Sequence, residues 1–330
     1  MSNKKLRVAI LDDFERLADT VPAYQELKER ADVTLLRKRL DGSEKIVSEL
    51  HDFDALLLMR ERTVFSDKEY SQLPNLRFIA QTGRTSRHLD LANATKRGVA
   101  IAGTPADNGM STMELTIALI LALLRKIPQV NLRMREEIWP AIPGNTLAGK
   151  TVGVFGFGRI GKEVARIMKA FGESRVIAYS PSLTPERASE VGAECVPFET
   201  LLKESDILTV HVQSTPQTRG IIGSKEFALM KRGALLVNTA RGAIVSEAAM
   251  IQALESGKLG GVGLDVYDIE PLPMDHPLRR FDNAILMSHR GYATVEILTE
   301  RYNQAITNLV NYIDGKPVKL LNPDVTPKNP

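Results

Sequence analysis

Cysteine occurs once in this chain, at Cys195. A single thiol excludes an internal disulfide and any metal site built on several cysteines, and it fits a reducing compartment. Net charge is also scarce: the balance is +3, too small to imply nucleic acid. A pI near 8.8 hints only weakly at anionic ligands. Long apolar runs are missing. The longest, Leu115 to Leu124, includes Thr116 and falls far below membrane-spanning length. The start, Met1-Ser2-Asn3-Lys4-Lys5-Leu6, leads into a short apolar strand rather than the core of a signal peptide. No short-period repeat or low-complexity tract interrupts the chain. The remaining composition, 43% hydrophobic and 25% charged over 330 residues, suits a two-domain globular protein. The expectation is a cytoplasmic, soluble protein with no metal, no nucleic-acid partner and no membrane partner.

What the chain does have is alternation. Arg7 to Leu11, Asp32 to Leu36, Ala55 to Met59, Arg77 to Ala80 and Val99 to Ile101 read as buried strands, with helical stretches such as Tyr24 to Arg30 between them. That pattern predicts a parallel sheet with helices on its faces. Gly103-Thr104-Pro105-Ala106-Asp107 breaks it, and a long helix follows over about Ser111 to Lys126, capped by Asp107 or Asn108. Met134 to Thr146, with Pro140, Pro143 and Gly144, reads as a surface excursion. A second alternating set then begins: Val152–Phe155, Val176–Tyr179, Ile207–His211, Ala234–Asn238, Gly261–Asp265 and Ala284–Met287. Six strands are the full count of a doubly wound dinucleotide fold. A last helix, about Val295 to Ile313, is expected to return to the first domain. The predicted organisation is a discontinuous domain, 1–105 plus 294–330, with a second domain inserted at 106–293.

The first strand of the second set ends in Gly156-Phe157-Gly158-Arg159-Ile160-Gly161, and a helix opens at once. Strand, Gly-x-Gly-x-x-Gly and helix in that order form the dinucleotide fingerprint. Gly156 permits the tight turn, Gly158 lets backbone approach a pyrophosphate, and Gly161 lets helix and strand pack closely. The helix start then offers N–H groups and partial positive charge to the phosphates. Ligands of such sheets lie beyond the carboxyl ends of the strands. Three of those ends carry Arg241, Glu270 and His289. Arg241 can hold a carboxylate or carbonyl through its planar fork. His289 can exchange a proton with a carbonyl oxygen. Glu270 can bond the other ring nitrogen, fix its tautomer and favour the charged ring. His211, at another strand end, is placed to line the cofactor. Cys195 reads as a buried small residue.

With these motifs in place, the chain resembles the D-isomer-specific 2-hydroxyacid dehydrogenases, the group that includes phosphoglycerate dehydrogenase and the glyoxylate/hydroxypyruvate reductases. The carrying segments are Gly149 to Gly153 running into the fingerprint, His211 to Gly220, Asn238-Thr239-Ala240-Arg241-Gly242, Gly263 to Tyr267 with Glu270-Pro271, and Ser288-His289. The resemblance implies an α/β fold of two doubly wound parallel-sheet domains, a Rossmann NAD(P)-binding domain inserted into a flavodoxin-like substrate domain. It implies reversible hydride transfer between a 2-keto acid and a D-2-hydroxy acid, with Arg241, Glu270 and His289 as the catalytic set. It further implies cofactor contacts at Arg159, Ile160, Val212, Thr218, Thr239, Ala240 and Asp265, and a homodimer built on the nucleotide domain and the helix after Pro105. The chain ends without a long extension, so the regulatory domain of some phosphoglycerate dehydrogenases is expected to be missing.

The departures from the family pattern are also informative. Ser180 stands where an aspartate usually holds the adenosine ribose, which removes repulsion against a 2′-phosphate. No arginine follows directly; the nearest is Arg187. The expected cofactor is NAD, with NADP the alternative. Gln213 replaces a common proline. Arg290 follows His289 and either disfavours the charged ring or helps hold an anion. In the first domain, Gln81 to Asp90 matches a family loop that binds carboxylate through backbone N–H groups, so Gly83, Arg84 and Thr85 are expected at the substrate. Arg84 and Arg87, with Arg60, suggest a keto acid carrying a second anionic group. Two other functions compete with the dehydrogenase. One is a non-catalytic NAD(H)-sensing module of the corepressor type, disfavoured by the lack of long interaction tails. The other is oxidation of a smaller anion such as formate, disfavoured because the formate enzymes carry Gln in the place of Glu270.

Overall fold

The computed structural model describes residues 5–83, 88–105, 108–172 and 174–326. The chain forms two compact units, Met1–Asp107 with Val295–Pro330, and Asn108–Thr294.

The first unit is built on five strands: β1 (Leu6–Leu11), β2 (Ala31–Leu36), β3 (Ala55–Leu58), β4 (Phe78–Gln81) and β5 (Ala100–Gly103). They run parallel in the order β2-β1-β3-β4-β5. That is the doubly wound order with its switch point between β1 and β3. β3 and β4 are buried along their whole length, which is why they read as unbroken apolar runs rather than alternating ones. The helix Val295–Ile313 belongs to this unit. Asn303 Oδ1 accepts the Ala23 N–H at 3.1 Å, and Tyr312 stacks on Phe78 with ring centroids 4.2 Å apart. The segment beyond it covers the exposed side of β5. The Leu321 N–H donates to Ile101 O at 2.7 Å, and Asn322 Oδ1 accepts the Ile101 N–H at 2.8 Å. An open strand edge is thereby paired rather than left as a template for aggregation.

The second unit holds seven parallel strands: β6 (Thr151–Phe155), β7 (Arg175–Tyr179), β8 (Glu194–Cys195), β9 (Ile207–Val210), β10 (Ala234–Asn238), β11 (Leu259–Leu264) and β12 (Ala284–Leu286). Their order is β12-β11-β10-β9-β6-β7-β8. Read from β6, this is the dinucleotide-binding order with an added edge strand, and its switch point lies between β6 and β9. The six expected strands are all present. The seventh, β8, has two residues, too few for any periodicity to show. It also corrects the expectation for Cys195, which is half-buried on this edge strand with its thiol against Leu183 O at 3.6 Å.

The long helix runs over Met110–Arg125 and buries Leu119, Ile120 and Leu123. Its N-cap is Gly109, with φ 75° and no side-chain cap. Asn108 Oδ1 nevertheless accepts the Met110 N–H at 3.0 Å, and Asp107 lies outside the described residues. The expected excursion, Met134 to Thr146, is non-helical beyond Arg135, and the residue pattern does not announce the helix that leads into it, Ile127–Arg135. Its apolar positions are exposed, so they give no amphipathic signal. Among the described residues no single helix is long and apolar enough to cross a membrane.

Candidate active site

The glycine loop is shaped as its spacing predicts. Gly156 has φ 100°, and its N–H donates to Tyr179 O at 2.8 Å, pinning the loop to the end of β7. A Cβ on Gly156 would sit 2.7 Å from both His211 C and Val212 N. The end of β9 therefore packs directly against the loop, and no side chain fits between them. At Gly161 a Cβ would collide with the Gly156 carbonyl. At Gly158 it would meet nothing within 4 Å, so the loop leaves open space there. Gly158 is also the N-cap of the helix Arg159–Ala170 and brings no side-chain cap, leaving its first N–H groups for a ligand. An open, uncapped helix start beneath a glycine turn fits a dinucleotide pyrophosphate.

The other expected cofactor residues lie on the helix that opens at this loop or after neighbouring strands of the same sheet. Arg159 is exposed and Ile160 half-buried. Ser180 directly follows β7 and is half-exposed. Val212 and Gln213 continue from β9, and the Thr218 hydroxyl donates to Gln213 O at 2.6 Å, closing the turn that follows. Thr239 is buried after β10, its hydroxyl 2.9 Å from that of Thr116. The Ala240 N–H donates to Asn238 Oδ1 at 3.0 Å. His211 is half-buried as a whole, but its Nε2 is fully enclosed with no hydrogen-bond partner among the described residues. That burial pushes the imidazole down to about 4, so it is neutral near pH 7.

Three further strand ends of the same sheet carry the ionisable set. Arg241 follows β10. Its guanidinium donates to Ala240 O at 2.7 Å, and Asn238 Nδ2 donates to its carbonyl at 2.9 Å. Gly242 is required next, because a Cβ there would run into the Tyr267 backbone. Glu270 lies beyond β11, with one carboxylate oxygen taking the Tyr267 N–H at 3.0 Å and the other 2.7 Å from His289 Nδ1. Burial pushes the Glu270 carboxyl up, but the His289 hydrogen bond and charge, the Tyr267 N–H and the Arg241 charge together hold it below the ordinary carboxylate value. His289 follows β12 in the left-handed region, φ 56°. With Nδ1 held by Glu270, its Nε2 is the nitrogen left for proton exchange.

Asp265, at the end of β11, is almost fully buried. Its carboxylate oxygens accept the N–H groups of Arg290 at 2.6 Å and Gly291 at 2.8 Å. Its own carbonyl accepts the His289 N–H at 2.9 Å. Burial raises its carboxyl above the ordinary range despite those bonds. In this geometry Asp265 holds the turn that presents His289, a role its sequence position does not announce. A carboxylate after a strand looks the same whether it faces a ligand or a neighbouring turn.

The remaining expected residues belong to the first unit. Arg60 follows β3 with φ 54°. Its N–H donates to Thr82 Oγ1 at 2.9 Å, and its Nε lies 3.2 Å from Glu61. Its guanidinium covers Gly83, where a Cβ would approach Nη1 to 3.2 Å. The Gly83 N–H is committed to Thr104 Oγ1 at 2.8 Å. Gly83 therefore contributes space for Arg60 rather than a donor for substrate. Arg84, Thr85 and Arg87 lie outside the described residues.

Comparison with known proteins places this arrangement. The NAD binding domain of the D-isomer specific 2-hydroxyacid dehydrogenases matches residues 117–291. The chain belongs to that family. It is 38% identical to the glyoxylate reductase of Thermococcus litoralis over 86% of this chain and 88% of that one. It is 39% identical to the D-3-phosphoglycerate dehydrogenase of Archaeoglobus fulgidus over 84% of this chain. It spans about half the length of the curated phosphoglycerate dehydrogenases it matches, 52% and 55% for those of A. fulgidus and Bacillus subtilis. A crystal structure of phosphoglycerate oxidoreductase from Vibrio cholerae aligns with a TM-score of 0.88 at 28% identity, over 94% of this chain and 99% of that one. Family membership makes the second unit an NAD-binding domain of the 2-hydroxyacid dehydrogenase type.

Proposed function

We propose that the chain interconverts a 2-keto acid and a D-2-hydroxy acid. The observation that carries this reading is the Glu270–His289 pair, 2.7 Å apart, on the same sheet edge as the glycine loop and within the electrostatic reach of Arg241. NAD(H), when bound, supplies or accepts the hydride. In the reductive direction Arg241 binds the substrate carboxylate and the carbonyl oxygen by its planar fork, setting the carbonyl carbon in place. His289 donates a proton from Nε2 to the carbonyl oxygen, and in the oxidative direction it takes the hydroxyl proton back. Glu270 keeps the ring in one orientation and stabilises its charged form. Relatives named glyoxylate reductase and D-3-phosphoglycerate dehydrogenase support a small 2-keto acid as the substrate class.

The test is oxidation of NADH and NADPH with glyoxylate, hydroxypyruvate, pyruvate, oxaloacetate, 2-ketoglutarate and phosphohydroxypyruvate. Turnover with at least one acid, abolished by His289→Ala, is expected. Clear NADH binding without turnover of any acid would overturn the reading. The assembly we propose is a homodimer. Trp139 is 88% exposed, Ile138 and Ile142 are exposed beside it, and a largely apolar groove lined by Met113, Glu114, Ile117, Ala118 and Leu121 of the helix Met110–Arg125 and by Ile167 of the helix Arg159–Ala170 opens in the same unit. Apolar surface of this kind marks an interface.

A further inference from the structure

We infer that the turn after β7 seats a 2′-phosphate, so that this chain binds NADPH at least as tightly as NADH. The inference rests on the cofactor reading above and concerns the end of the cofactor remote from hydride transfer. In a dinucleotide fold the ribose of the adenosine half is read about 20 residues after the glycines, at the end of the second strand. A carboxylate there bonds the ribose hydroxyls and repels a 2′-phosphate, whereas an arginine nearby accommodates one. In this chain that strand end is joined to the glycine loop by the Gly156 N–H on Tyr179 O, 2.8 Å. The turn that follows is Ser180-Pro181-Ser182-Leu183, closed by the Leu183 N–H on Ser180 O at 3.0 Å. It contains no acid. It offers two hydroxyls, one on half-exposed Ser180 and one on exposed Ser182.

The charge comes from Arg187, which sequence spacing alone leaves remote. The short helix Pro185–Ser189 folds it back, and its Nη1 donates to Ser182 O at 3.0 Å. That bond fixes the guanidinium on the turn and uses one of its five donors. Arg187 makes no ion pair among the described residues. The two acids nearest to it in sequence have partners of their own. Glu190 is bonded to Lys162 Nζ at 2.5 Å, and Glu186 is held by its own backbone N–H and the Thr184 hydroxyl. A guanidinium and two hydroxyls around an exposed turn match the oxygens of a phosphate monoester, and charge-assisted bonds of this kind are the strong ones.

Equilibrium binding tests this without turnover. Calorimetric titrations would compare NADPH with NADH, and 2′,5′-ADP with 5′-AMP, on the intact chain at low salt. NADPH is expected to bind at least as tightly as NADH, and 2′,5′-ADP about tenfold more tightly than 5′-AMP. Arg187→Ala should weaken NADPH and 2′,5′-ADP by about tenfold and leave NADH within about twofold. Ser180→Asp should reverse the preference toward NADH. Retained NADH affinity serves as the folding control for both variants. NADPH binding more weakly than NADH, or an unchanged NADPH-to-NADH ratio in Arg187→Ala, would overturn the inference and leave the NAD-binding reading intact. Failure of both dinucleotides to bind would overturn both.

Discussion

At the scale of single residues, the site depends on which partner each ionisable group keeps. His289→Ala should lower kcat by about 10²–10⁴, the range typical of a lost acid/base, with NADH affinity unchanged. Asp265 acts at one remove. Asp265→Asn leaves the side chain's shape but weakens its hold on the Arg290 and Gly291 N–H groups. The turn bearing His289 should loosen, and kcat should fall by about 10- to 100-fold while the Kd for NADH holds, which separates positioning from binding. His211 makes a different prediction, about pH. Its folded value is pushed down to about 4 from an ordinary 6.5. As pH falls through that window the unfolded chain takes up a proton that the folded chain refuses, so stability is lost. Melting curves at pH 7 and pH 5 should show a smaller drop in Tm for His211→Asn than for the unsubstituted chain. Sequence reading puts Arg241, Glu270 and His289 beyond the carboxyl ends of apolar strands, and in the fold they follow β10, β11 and β12. It does not reveal that Asp265 faces a turn, that the Gly83 N–H is already spent on Thr104, or that Arg187 returns to Ser182. Those are facts of side-chain direction, which residue order does not encode.

At the scale of elements, glycines decide what can approach what. Gly161→Ala places a methyl against the Gly156 carbonyl. Overpacking of this kind costs about 1–3 kcal/mol. The helix must back away from the strand and carry its N–H groups with it. NADH affinity is expected to fall at least about tenfold by calorimetry, with the secondary structure seen by circular dichroism retained. Most elements are legible in the residue pattern because their burial is continuous or periodic: Val295–Ile313 is read to its observed ends, and the strands of both sheets to within a residue or two. The misses have physical causes. β8 has two residues, below the length at which any pattern can show. The helix Ile127–Arg135 turns its apolar side chains outward, so it carries no amphipathic signal. Lys126 between it and the preceding helix takes a left-handed conformation, φ 55°, which lysine seldom adopts and which its identity does not forecast.

At the scale of the whole molecule, exposed apolar surface is the property to test. Trp139→Glu puts a charge at the centre of the proposed interface. It should convert a dimer to a monomer by light scattering coupled to size exclusion, and a dimer that persists would count against that surface. The connectivity has a further consequence, which concerns order in time. Asn108–Thr294 is continuous in sequence, so everything its sheet needs is synthesised before the last helix is. The other unit must wait: its five strands come first, but the helix that covers one face and the segment that pairs with β5 come last. During synthesis it remains an unfinished sheet with Phe78 and an open β5 edge unprotected, so crowding and chaperone supply should affect its yield more than that of its neighbour.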